Sequence, residues 1–75
     1  MNTFDRNELE SWAHNRSTSI EVARSIFEIA DGDADAQKIW EDCSEETTAS
    51  VIEAAFNKTE DNTLFWGETK FSRPQ

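Results

Sequence analysis

At 75 residues, with 16 acidic against 7 basic side chains and a net charge of −9, the chain is too short for two cores. It is also too acidic to hold a phosphate backbone or an anionic membrane by direct attraction. Its single cysteine, Cys43, excludes an internal disulfide framework and a Cys-rich zinc site, and points to a reducing, cytoplasmic setting.

The charged opening from Met1 to Glu10 lacks the apolar stretch of a signal peptide, and no run of about 18 apolar residues occurs to span a bilayer. Phe4-Asp5-Arg6-Asn7-Glu8-Leu9 has the form of a helix start. Asp5 is placed to cap, Glu8 to reach back from the third helical position, and Phe4 to staple onto Leu9. This first helix is expected to run to about His14 and to pack mainly through Trp12. Thr18-Ser19-Ile20-Glu21 repeats the capping-box pattern ahead of a second helix over about Ser19 to Ala30. Ile20, Val22, Ala23, Ile26, Phe27, Ile29 and Ala30 cover more than half of its circumference, which marks it as the central helix. Asp31-Gly32 ends it, with Gly32 free to take the left-handed position beyond a helix C-terminus.

Asp33 is placed to cap a third helix whose Ala36, Ile39, Trp40 and Cys43 recur on one face, so Cys43 is expected in the core. Ser44 caps a fourth, with Glu45 and Glu46 in its first turn and Thr48, Val51, Ile52, Ala55 and Phe56 as its inward stripe. Lys58 to Thr63 is polar and turn-like. Leu64-Phe65-Trp66-Gly67 with Phe71 gives a short extended piece or hairpin, and Arg73-Pro74-Gln75 is expected to fray. The fold expected is a mainly α single domain over 1–75: four short helices with an extended or hairpin-like tail over 57–75.

The charge is concentrated. Glu28, Asp31, Asp33, Asp35, Glu41, Asp42, Glu45 and Glu46 face only Lys38 within Glu28 to Glu46, a local balance of −7, while each flank carries −1. Such a patch fits a basic protein, or a complex that normally grips nucleic acid, by presenting carboxylates where phosphates would sit. A solvated acidic face is the plain alternative. Phe65, Trp66 and Phe71 form a second candidate contact, because aromatic anchors are enriched at interface centres. Their structural alternative is to cover the open side of a small helical bundle.

Chemistry-bearing motifs are weak. Asp31-Gly32-Asp33-Ala34-Asp35 has carboxylates at positions 1, 3 and 5 of a calcium loop. It fails at Ala36, Lys38 and Asp42, where that loop wants Gly, an apolar residue and a bidentate Glu. His14 is the sole histidine and suits the end of a helix better than general acid/base work. Acids around Cys43 would raise a thiol pKa rather than activate it. No phosphate loop or HExxH pair occurs. The expectation is a non-enzyme with no cofactor and no metal.

The profile of small size, net acidity and absent catalytic motif resembles the anti-defence proteins of phages and mobile elements, anti-CRISPR proteins in particular. The resemblance covers the whole chain in size and charge, with no residue motif to carry it. It implies a stoichiometric inhibitor seated on a CRISPR effector, a type I surveillance complex by preference, that blocks target DNA. The alternative from the residues is a regulatory or antitoxin-like adaptor that binds its partner through an apolar helix groove or through Phe65, Trp66 and Phe71.

Overall fold

A computed structural model describes residues 6–73, excluding the Arg6 side chain. Four helices, α1 (Arg6–Asn15), α2 (Ile20–Ile29), α3 (Asp33–Glu41) and α4 (Glu45–Asn57), precede an antiparallel hairpin of β1 (Thr63–Trp66) and β2 (Thr69–Ser72). The expected mainly α fold with a hairpin tail is the fold observed. The Asp5 cap, the Phe4 staple and the ends of the chain at Pro74 and Gln75 lie outside the described residues.

Helix α2 is the centre because its apolar residues recur often enough to face four neighbours. It packs on α1, α3, α4 and β1, and Val22, Ala23 and Ile26 are fully excluded from water. Phe27 and Ala30 beside them, Leu9 and Ala13 of α1, Ala36 of α3, Val51, Ile52, Ala55 and Phe56 of α4, and Leu64 of β1 complete the core. Burying a side chain the size of Ile26 or Phe56 contributes about 1.5–3 kcal/mol before the entropy of ordering the chain is subtracted, and the net gain of a domain this small is only about 3–5 kcal/mol. One residue of the expected α2 stripe departs from it: Ile29 is 54% exposed and borders an open hollow with Ile39 of α3 and Val51 of α4.

Aromatic side chains extend the core sideways. Trp12 meets Phe27 edge to face at 4.8 Å and Trp40 at 5.7 Å, and Trp40 stacks on Trp66 at 5.5 Å with rings 3° from parallel. Arg16 covers the outer face of Trp12 at 4.2 Å and donates to Gln37 Oε1 at 2.9 Å. These rings join α2, α1, α3 and β1 in one row.

The helix ends correct three details. The Thr18 and Ser19 hydroxyls do not form a capping box. Ser19 Oγ accepts the Phe65 N–H at 2.7 Å and Thr18 Oγ1 accepts the Gly67 N–H at 3.2 Å, while the Ser19 N–H donates to the Phe65 carbonyl at 3.0 Å. Glu21 pairs with Arg24 instead. Asp33 is the first residue of α3 rather than its cap: Gly32 holds that place at φ 101° and ψ 179°, a conformation essentially reserved for glycine. Asp35 Oδ2 reaches back to accept the Asp31 N–H at 2.9 Å, so a carboxylate of the calcium-like loop serves the helix start.

Cys43, expected inside, is exposed. Helix α3 stops at Glu41 because Asp42 turns the chain: its carboxylate accepts the Ser44 N–H at 2.9 Å and the Thr47 hydroxyl at 2.7 Å. The helical phase that would bury Cys43 therefore ends two residues early. Ser44 caps α4 as expected, accepting the Thr47 N–H at 3.2 Å. Arg73, expected to fray, is tied down. Its guanidinium donates to the Thr59 and Asp61 carbonyls and lies 5.1 Å from the Phe56 ring, and its N–H donates to the Asn62 carbonyl at 2.8 Å.

Candidate functional site

The hairpin stands beside α4 without closing onto it. Its inner face carries Leu64 and Trp66 of β1 and, opposite them in register, Phe71 and Thr69 of β2. Only Leu64 is buried; Trp66 and Phe71 are half-buried. Between that face and α4 runs an open groove. One end, about 570 Å³, is bounded by Cys43, Glu45, Thr48, Ala49 and Ile52 on the helical side and by Trp66, Thr69 and Phe71 on the hairpin side. The other, about 510 Å³, continues past Glu53, Phe56 and Asn57 opposite Phe71, Ser72 and Arg73. Ala49, Ile52 and Phe71 belong to both ends, so the two form one channel whose floor is apolar.

The groove joins residues that the sequence placed in separate candidate sites. Trp66 and Phe71 of the aromatic tail line it, and Glu45 of the acidic stretch stands on its helical rim with Glu53, outside that stretch, further along. Phe65 does not take part: it lies on the opposite face of β1 and is 42% exposed. Ala49 and Glu53 carried no signal in the sequence beyond lying on the outer face of α4.

The other acids flank α3. Asp31, Asp33 and Asp35 gather at its N-terminal end, with Asp33 and Asp35 in the first turn, where the helix dipole favours negative charge. Glu41 and Asp42 stand at its far end with Glu45 and Glu46 in the first turn of α4. Nine residues at about 1.5 Å each separate the two groups by about 12–14 Å. Several of these carboxylates are engaged locally: Glu28 pairs with Lys58 across α2 and α4, and Glu41 accepts from Gln37 Nε2 at 3.0 Å. Asp42 is held below the usual carboxylate range by the Thr47 hydroxyl first and the Ser44 N–H second. Glu46 borders a separate, smaller hollow with Ile29, Ile39 and Asp42.

His14 is exposed in the last turn of α1. Among the described residues no group of three His, Cys, Asp or Glu side chains could hold a metal ion, and no helix is long and apolar enough to cross a membrane.

Fold and groove together define a small acidic α-helical domain, closed on one side by a C-terminal β-hairpin and open along α4. The chain belongs to the YccJ-like family, whose profile matches residues 7–75. It is 48% identical over 63 residues to the protein YccJ of Escherichia coli strain K12, covering 83% of this chain and 79% of that protein. The YccJ proteins of Escherichia coli O6:H1 and Shigella flexneri are similar to the same extent. No solved structure matches.

Proposed function

We propose that the protein acts by binding a basic protein partner, without catalysis, and that the groove between α4 and the hairpin is its contact site. The observation that supports this reading is the groove itself: an open, aromatic-floored channel with Glu45 and Glu53 on its rim. Aromatic anchors in a partly desolvated channel supply affinity, while exposed carboxylates steer encounter and select a basic partner. The test is capture from a bacterial lysate by tagged wild-type protein and by Ala49→Arg side by side. Ala49 is exposed, so a long cation there obstructs the channel while the core is left intact. A partner held by wild type and lost by Ala49→Arg is the expected result; equal capture by both would sink the groove as the site.

A second reading is favoured by a different observation, the exposed carboxylates at both ends of α3. It is the anti-CRISPR-like one, in which Asp31, Asp33, Asp35, Glu41, Asp42 and Glu46 occupy a basic surface of an effector complex in place of DNA. Under it, the partner is competed off by DNA, and changing Asp33, Asp35, Glu41 and Asp42 together to Asn or Gln weakens capture at low salt far more than at high salt.

A further inference from the structure

The hairpin has two outer edges, and only one is in use. On β1, the N–H and carbonyl of Phe65 point away from β2 and bond Ser19, so Phe65 and its register partner Lys70 form a non-hydrogen-bonded pair. The Lys70 N–H and carbonyl therefore point out of the other edge, and so, two residues on, do those of Ser72. The sheet has two strands, and among the described residues none lies beyond β2. This open edge borders the groove. Along α4 the lining advances from Glu45 to Asn57 as the hairpin lining advances from Thr69 to Arg73, so helix and edge strand run together along the channel.

We propose, building on the protein-binding reading above, that the groove takes an extended segment of a basic partner. This segment adds to β2 as a third strand, bonded to the backbone of Lys70 and Ser72 and roofing α4. In that position alternate side chains of the segment point onto Ala49, Ile52 and Phe71, and the others point to solvent. The rim fixes their charge. Glu45 and Glu53 are eight residues apart on α4, about 12 Å, which an extended chain spans in about four residues. The segment therefore reads basic, any, apolar, any, basic, with the three specified side chains on one face. A second copy of this chain is a poor occupant: it brings a further −9 to a groove with Glu45 and Glu53 on its rim, where the lining Arg73 guanidinium is turned onto the Thr59 and Asp61 carbonyls. Lys70 on a four-residue edge also discourages indiscriminate strand pairing.

The test begins with a displayed library of short random peptides panned on the whole protein. A recovered peptide is then remade with N-methyl groups on alternate amides, along one edge or the other. Recovered sequences are expected to show the alternating basic and apolar pattern. The Lys70 and Ser72 amides gain protection from exchange when the peptide binds, and methylation of one edge alone abolishes binding. Lys70→Pro removes an outward donor at a position where the hairpin itself makes no bond, and weakens the peptide about tenfold, the effect of one or two lost hydrogen bonds. If Lys70→Pro unfolds the hairpin, the methylated peptides on wild-type protein decide the matter. A peptide that shifts Ala49 and Ile52 but leaves the Lys70 and Ser72 amides unprotected overturns strand addition and leaves the groove as a binding site. Failure to recover any peptide that Ala49→Arg abolishes overturns strand addition as well; the groove reading then stands or falls on the lysate capture alone.

Discussion

Asp42 shows how one carboxylate decides where a helix ends and which side chains face water. Its two hydrogen bonds hold its pKa below the ordinary value, with the Thr47 hydroxyl as the main cause. A carboxyl depressed on folding contributes stability above its unfolded pKa, and that contribution fades as pH falls through the folded pKa. Thr47→Val keeps the shape of the side chain and removes the donor. Its melting temperature is expected to lie below wild type at neutral pH, with the gap closing once the medium is more acidic than the depressed pKa. Comparing the two proteins at each pH cancels the general relief of acidic repulsion that protonation brings. Parallel melting curves across the whole acid range would mean that the Thr47 bond does not favour the ionised form.

At the scale of elements, the helices were legible because their signals are local. Ser44 followed by Glu45 and Glu46, and the apolar recurrence of α2, need nothing from the rest of the chain. The errors arose where a local motif serves a distant element. The hydroxyls of Thr18 and Ser19 match a helix cap in sequence, yet they hold β1 and the turn after it, more than forty residues away. Nothing nearby in sequence could have shown that a strand would compete for them. Cys43 departs from its expected core position for a local reason: Asp42 two residues before Ser44 is the pattern of an Asx turn, which ends the helical phase. The groove is not legible in the sequence, since it depends on how far the hairpin stands from α4, although Trp66 and Phe71 are among the candidate contact residues.

Ser19 stands at the N-cap position of α2 while its hydroxyl accepts from Phe65, and the two possible roles make different predictions. As a cap, Ser19→Ala would speed amide exchange in the first turn of α2. In the observed role it costs about 1 kcal/mol, and the change appears at the Phe65 amide, whose acceptor is lost, with the first turn of α2 unaffected. Residue-resolved hydrogen exchange separates them.

For the molecule as a whole, the charge of −9 is spread over a body of 34 × 25 × 20 Å. Two opposing electrostatic effects follow. Carboxylates in first turns, such as Asp33, Asp35, Glu45 and Glu46, are favoured by the helix dipoles at contact range. Between the ends of α3, and from one helix to the next, like charges repel over distances of ten ångströms and more. At about 10 mM salt the Debye length is about 30 Å, so repulsion acts across the whole body; at about 150 mM it is about 8 Å, shorter than α3. Screening removes the long-range repulsion first and the contact-range dipole terms last. The Glu21 and Glu28 ion pairs are exposed enough to contribute only about 0–1 kcal/mol each. Melting temperature is therefore expected to rise as sodium chloride increases over that range, and the same increase should slow association with a basic partner. A fall in melting temperature with added salt would show that helix-end and ion-pair terms outweigh the repulsion, so that the acidic middle stabilises the fold itself.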